Sequence, residues 1–107
     1  MTKPYDPALA FRRQILVSGL FKYASQALEL EDGYAFKFRR SAFLARRMAD
    51  YLLFEARHSP RLTFEIDVEP DGVAAWLQVR GPGNAKDQIR VLYLQHQSLL
   101  LQRINDQ

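Results

Sequence analysis

Apolar residues alternate with polar ones along two stretches of the chain, and this period of two predicts β-strands. The apolar positions of the first stretch are Leu28, Leu30, Tyr34, Phe36 and Phe38. For all of them to share one face of a hairpin, Leu30 must oppose Tyr34. This register predicts a three-residue turn over 31–33, closed by Gly33 in a left-handed conformation.

The second stretch runs from Leu62 to Arg80 and turns at Pro70-Asp71-Gly72. Its inward-facing positions are predicted to be Leu62, Phe64, Ile66, Val68, Val73, Ala75, Leu77 and Val79. Trp76 and Arg80 fall on the alternate positions, so they are predicted to face outward. We therefore expect a second hairpin with one apolar face.

Three other segments carry apolar residues at helical spacing. Asp6-Pro7 is a helix-start signal, and Ser41 and Asn84 stand at the two other predicted starts. Pro60 ends the second of these segments. The predicted helices span about 7–17, about 42–58, and from residue 84 to about residue 105.

These elements predict an α+β fold with a two-layer ββαββα core, in which a four-stranded antiparallel sheet carries two helices on one face. The N-terminal helix is added to that core. The ββα units, about 26–58 and about 61–105, echo each other in sequence, which predicts an internal repeat. A chain of 107 residues has room for one hydrophobic core, so 1–107 is expected to form a single domain.

Composition limits the chemistry of the chain. There is no cysteine, which excludes disulfides and thiol nucleophiles. The histidines are His58 and His96, too few to predict a transition-metal site within one chain. We therefore expect no metal, no cofactor and no catalytic residue. No stretch has the length of a membrane span or the pattern of a signal region, which predicts a cytoplasmic protein without membrane contact.

Several segments of the chain resemble a known family. They are 31–34, 55–60, 64–69 and 76–81. Over about residues 26–90 the chain resembles a family of small bacterial proteins of unknown function. The resemblance implies the same fold, and the family's motif lies where the second predicted helix meets the following strand.

The family's motif is Glu-Arg-x-Cys-Cys-Pro-Phe, and this chain keeps only part of it. Glu55 and Pro60 match the motif. The departures are Ala56 at the arginine, His58 and Ser59 at the two cysteines, and Arg61 at the phenylalanine. If the family's cysteine pair performs metal or redox chemistry, this chain cannot perform it in the same way.

Four residues are candidates for contact with a ligand or partner. Glu55 and His58 are three residues apart on a predicted helix, so their side chains can project to one side. A metal-binding or enzymatic site at this pair is the second alternative function. Trp76, outward-facing among small residues, indicates a covered or binding surface, with the N-terminal helix as the nearest cover. Arg80 precedes the start of the last helix, where anions bind.

A basic stretch extends over 37–47 and begins at Lys37, and no acidic residue occurs over 33–49. Its arginines Arg39, Arg40, Arg46 and Arg47 make an anion- or nucleic-acid-binding module the first alternative function. Acidic residues predicted on the outer face of the sheet would repel a nucleic-acid backbone there. They are Glu29, Glu31, Glu65, Asp67 and Glu69. The favoured function is therefore a non-enzymatic accessory or binding domain.

The end of the last predicted helix is apolar. A helix over 84–105 is about 33 Å long, whereas a six-residue strand spans only about 20 Å. The overhang carries Leu99, Leu100, Leu101 and Ile104. We expect a second copy of the chain to cover this strip in a two-fold homodimer, with the N-terminal helix as the competing cover.

Leu100→Glu combined with Ile104→Glu should therefore convert a dimer into a folded monomer, because two charges would replace apolar groups in the interface. Sedimentation velocity at micromolar concentration measures the change, and far-ultraviolet circular dichroism checks the fold. A wild-type chain that already sediments as a monomer would contradict the predicted dimer.

Overall fold

A computed structural model of the chain describes residues 6–93. The elements in chain order are α1 Pro7–Phe21, β1 Gln26–Leu30, β2 Gly33–Arg39, α2 Ala42–His58, β3 Thr63–Val68, β4 Ala74–Arg80 and α3 Ala85–Tyr93. The predicted continuation of the last helix, with Leu99, Leu100, Leu101 and Ile104, lies outside the described residues. Over 6–93, no helix is both long and apolar enough to cross a membrane.

The strands form one antiparallel sheet in the order β1-β2-β4-β3. Each hairpin pairs with the other through its second strand, so β2 and β4 are central and β1 and β3 are edges. The predicted α+β fold with a four-stranded antiparallel sheet is confirmed. The sequence pattern alone does not determine the order of the strands.

All three helices lie on the same face of the sheet. The Phe21 ring of α1 contacts Phe36 of β2 at a centroid distance of 4.8 Å, Tyr51 of α2 at 5.3 Å and Tyr93 of α3 at 4.7 Å. These rings are almost completely buried. The N-terminal helix is therefore part of the core, and the prediction that it covers Trp76 on the opposite face is wrong.

Local signals account for the limits of the first two helices. The Asp6 carboxylate accepts a hydrogen bond from the Ala8 amide at 3.0 Å, as the capping prediction requires. α1 runs past the predicted end near residue 17 because Leu20 and Phe21 continue its buried stripe. α2 has the predicted bounds, and the Ser41 hydroxyl caps it by accepting from the Leu44 amide at 3.0 Å.

The predicted register of the first hairpin is wrong by one residue. Leu30 pairs with Gly33, so the turn has two residues, and Gly33 does not adopt a left-handed conformation. Ala27 lies opposite Phe36 and is fully buried, which leaves Leu28 half exposed on the outer face. The bulky Phe21 and Phe36 rings fill the space beneath the helices, which leaves room for only a small side chain on β1.

Gly33 is needed for a different reason. A Cβ atom at this position would lie 1.9 Å from the Val79 carbonyl oxygen, so only glycine permits the close approach of β2 to β4. The shifted register also turns Glu29 toward the helices, where its carboxylate lies 3.4 Å from the Lys86 ammonium group. The prediction that Glu29 is on the outer face is therefore wrong.

The second hairpin has the predicted inner face, but its edge strand is only partly covered. Phe64 pairs with Val79 and Ile66 with Leu77, so the predicted inner positions share one face. Ile66 is nevertheless 45% exposed and Val68 55% exposed. Among the described residues the helices cover the central strands, and β3 is left partly open to solvent.

Phe36→Ala should lower the free energy of unfolding by about 3–5 kcal/mol, because it empties a fully buried site beneath three helices. Denaturant titration followed by circular dichroism measures the loss. Phe11→Ala is the matched control, since Phe11 is 65% exposed and its removal should change stability by less than about 0.5 kcal/mol. A loss below about 1 kcal/mol for Phe36→Ala would contradict this core.

Candidate functional site

Glu55 is a fully buried carboxylate on α2. The buried residues of this helix are Leu44, Met48, Tyr51 and Glu55, whose spacing places them on one side. Glu55 is thus aligned with the core stripe. The helical spacing of Glu55 with Leu44, Met48 and Tyr51 indicates this burial, whereas the predicted partnership with His58 would place Glu55 at the surface.

Three side chains from three helices satisfy the Glu55 carboxylate. The Arg13 Nε atom of α1 donates to Oε1 at 2.9 Å. The Tyr93 hydroxyl of α3 donates to Oε2 at 2.9 Å, and the Tyr51 hydroxyl lies 3.4 Å from the same oxygen and also bonds the Tyr93 hydroxyl. We call Arg13, Tyr51, Glu55 and Tyr93 the buried polar cluster.

The buried polar cluster pairs one negative charge with one positive charge and keeps both phenols neutral. Burial raises the pKa of the Tyr51 phenol well above its ordinary value, and the neighbouring Tyr93 and Glu55 raise it further. Burial and the Glu55 carboxylate likewise raise the pKa of the Tyr93 phenol. Both hydroxyls therefore remain protonated and able to donate at neutral pH.

Arg13 connects the buried polar cluster to the end of α2. Its Nη2 atom donates to the Ser59 hydroxyl at 3.3 Å, and its guanidinium carbon lies 5.4 Å from the centre of the Phe54 ring. The Arg13 side chain remains partly exposed. These contacts place the Arg13 guanidinium group as a wall at the junction where the chain leaves α2.

A crevice of about 670 Å³ opens beside this wall, between the end of α2 and α3. It is lined by polar and apolar side chains from both sides of the junction. The lining residues used below are Arg13, His58, Ser59, Arg61, Asn84 and Ile89. A volume of this size is that of a small-molecule site.

The charges in the crevice are unevenly paired. Arg13 faces Glu55, and Asp87 lies 3.2 Å from the Arg90 guanidinium. The Arg61 guanidinium donates only to a neutral group, the Pro82 carbonyl oxygen, at 3.3 Å. Its positive charge is therefore not offset by any ion pair seen in the described part of the chain.

The predicted pairing of Glu55 with His58 does not occur. Glu55 points inward and both of its oxygens are engaged, whereas the His58 ring packs on Phe54 at a centroid distance of 4.5 Å and lines the crevice. Within residues 6–93, no three histidine, cysteine or acidic side chains gather where they could hold a metal ion.

Trp76 and Arg80 lie on the outer face of the sheet, at positions of β4 that alternate with the buried Leu77 and Val79. The Trp76 indole donates to the Glu69 carboxylate at 3.1 Å, and the Lys37 ammonium group lies 5.7 Å from the centre of its ring. Arg80 donates to Gln78 at 2.6 Å and to the Asp32 carboxylate at 2.8 Å. Local polar contacts therefore account for both residues.

A second hollow, of about 570 Å³, lies next to Arg80. Its charged lining combines Arg80 and Lys86 with Glu31, Asp32 and Asp87. The acidic groups are as prominent as the basic ones. This hollow therefore has less to attract an anion than the crevice at the end of α2.

The arginines of the basic stretch serve different purposes. Arg40 donates to the Gly72 carbonyl oxygen at 3.3 Å and so holds the turn of the second hairpin. Arg47 lies over the Phe43 ring at 5.0 Å from its centre. Arg39 and Arg46 are exposed. The sequence pattern does not single out Phe43, the aromatic residue that lies beside Arg47.

Comparisons with protein-family models, with curated proteins and with solved structures find no match for this chain. The resemblance based on Glu55, Pro60 and the neighbouring segments therefore stays a prediction.

Replacing Tyr51 and Tyr93 together by phenylalanine tests the buried polar cluster. Because their pKa values are higher in the folded than in the unfolded chain, the native state retains protons above a pH of about 10 that the unfolded state releases. The contribution of the cluster to the free energy of unfolding should therefore be fully present below that pH, and it should decrease as the pH rises above it.

The measurement is phenolate absorbance near pH 11, compared between native and urea-unfolded protein. In the wild type, fewer tyrosines should be ionised in the native protein than in the unfolded protein, and we call this difference the phenolate deficit. In the double variant the deficit should be smaller by two tyrosines. Tyr23→Phe is the control, because Tyr23 is half exposed and lies outside the buried polar cluster, so this variant should keep the deficit that the two cluster tyrosines cause. An unchanged deficit in the double variant would contradict the cluster.

Proposed function

We propose that the domain is a non-enzymatic binding module whose crevice holds a small ligand with an apolar body and one anionic group. The observation that carries the proposal is the position of Arg13. The buried Glu55 carboxylate and the Ser59 hydroxyl fix its guanidinium group at the wall of a crevice large enough for a ligand. A donor that is already fixed loses little entropy on binding.

The anionic group is proposed because of the charges that face the crevice. Arg61 contributes a positive charge without an acidic partner among the described residues, and Asn84 stands at the start of α3. The first backbone amides of a helix and its dipole favour a negative charge. Arg61, Asn84 and Arg13 together support recognition of a carboxylate or a similar group.

The apolar body is proposed because the remaining lining is mainly hydrophobic. Pro60 and Leu62 contribute from the segment after α2, and Ile89 and Val91 from α3. Val91 is more than half exposed, so part of this apolar surface faces solvent in the described part of the chain. A ligand lying along these residues would remove apolar surface from water.

Binding is favoured over catalysis because of the state of Glu55. It is the one buried charged residue among those described, and Arg13, Tyr51 and Tyr93 occupy its carboxylate. A carboxylate whose oxygens are engaged in this way holds its neighbours in position and is not available to transfer a proton to a substrate. The resemblance adds support, since His58 and Ser59 occupy the cysteine positions of the family's motif and line the crevice.

Octanoate and octanol form a matched pair of probes for this proposal. Octanoate should shift amide signals around the crevice in ¹H–¹⁵N correlation spectra, and octanol should bind there about tenfold more weakly because it lacks the charge. Arg61→Gln should weaken octanoate binding by a similar factor and leave octanol binding unchanged.

Arg57→Gln is the matched control, since Arg57 is exposed on α2 and does not line the crevice. It should leave both affinities unchanged. Equal affinity for octanoate and octanol would show that the crevice does not recognise an anionic group, and it would contradict that part of the proposal. Signal shifts spread evenly over the protein, or none at all, would contradict a ligand site in the crevice.

A further inference from the structure

Two aromatic rings are exposed side by side at the end of the domain opposite the crevice. Tyr23 follows α1 and is 44% exposed, and Phe43 lies in the first turn of α2 and is 50% exposed. Their rings meet edge to face, with centroids 5.6 Å apart. Neither ring belongs to the hydrophobic core, so core packing does not explain why two aromatic side chains lie together at the surface.

A cation flanks each ring of this pair. The Lys22 ammonium group lies 5.2 Å from the centre of the Tyr23 ring, and the Arg47 guanidinium carbon lies 5.0 Å from the centre of the Phe43 ring. We call Lys22, Tyr23, Phe43 and Arg47 the cation–aromatic row. All four residues are exposed.

The segment of the chain that carries Phe43 and Arg47 is basic. No acidic residue occurs over 33–49, and Arg39 and Arg46 are exposed within that range. The nearest acidic residue along α2 is Asp50, one turn beyond Arg47. Neither Lys22 nor Arg47 has an ion pair among those observed in the described part of the chain. The row therefore complements a polyanion.

We propose that the cation–aromatic row binds single-stranded nucleic acid. Exposed rings stack with unpaired bases, and neighbouring cations bind the phosphates. A duplex keeps its bases stacked on one another and would use only the cations. An anionic membrane also attracts cations, but the neighbouring Leu20 and Leu44 are buried, which leaves the row without aliphatic anchors.

The row is separate from the proposed ligand crevice. Phe43 is in the first turn of α2 and His58 is its last residue, which places them about 22 Å apart along the helix axis. A negative result at one site therefore leaves the proposal for the other site unaffected. Each proposal can be tested without a variant that affects the other site.

Fluorescence anisotropy with labelled oligonucleotides tests the row on the full chain. Oligo-dT and oligo-U of about twelve nucleotides are the probes, at low salt. We expect binding that weakens as salt is added. Phe43→Ala and Tyr23→Ala should each weaken it about tenfold through lost stacking, and Arg47→Gln should reduce the salt slope by about 0.7.

The matched controls are Phe11→Ala and Arg57→Gln, which remove an exposed ring and an exposed cation elsewhere and should leave binding unchanged. Binding of either oligonucleotide supports the proposal. The difference in affinity between oligo-dT and oligo-U shows whether the row prefers DNA or RNA. The proposal is overturned if neither oligonucleotide binds at low salt or if Phe43→Ala and Tyr23→Ala both bind like the wild type. It is also overturned if a duplex or phosphatidylglycerol vesicles bind as strongly as the single strands.

Discussion

The ion pair between Arg13 and Glu55 is the constraint on which the helical layer depends. It joins α1 to α2 at a point where the carboxylate is fully buried, and the Tyr93 hydroxyl joins α3 to the same carboxylate. An unpaired buried carboxylate would be very costly, so the three helices can pack only in an arrangement that brings these groups together. The aromatic rings around Phe21 supply apolar burial, and the polar contacts select the arrangement.

The same ion pair determines what the end of α2 presents to solvent. Arg13 is held from below by Glu55 and reaches Ser59 at the point where the chain leaves the helix. Replacing a buried ion pair by apolar groups is often neutral or stabilising, so this pair is better explained by a role in position than by a gain in stability. The proposed role is to hold a guanidinium group beside the crevice.

The period-two and helical patterns predicted the α+β class, the α2 bounds and the second hairpin, because each depends on local spacing. The errors arose where a distant residue decided the outcome. Ala27 rather than Leu28 faces the helices because Phe21, which is distant in sequence, fills that space, and Gly33 is required by the Val79 carbonyl across the sheet. The burial of Glu55 was visible in its spacing, but Arg13, forty-two residues away, could not be identified as its partner.

A double-mutant cycle on Arg13→Met and Glu55→Gln tests the central claim most directly. Unfolding free energies from denaturant titration of the wild type, both single variants and the double variant give the coupling energy. The account predicts a coupling of about 1.5–3 kcal/mol, with the double variant losing less than the sum of the single losses. A coupling within about 0.3 kcal/mol of zero would show that the two side chains act independently, and it would contradict the claim that this pair sets the arrangement of the helices.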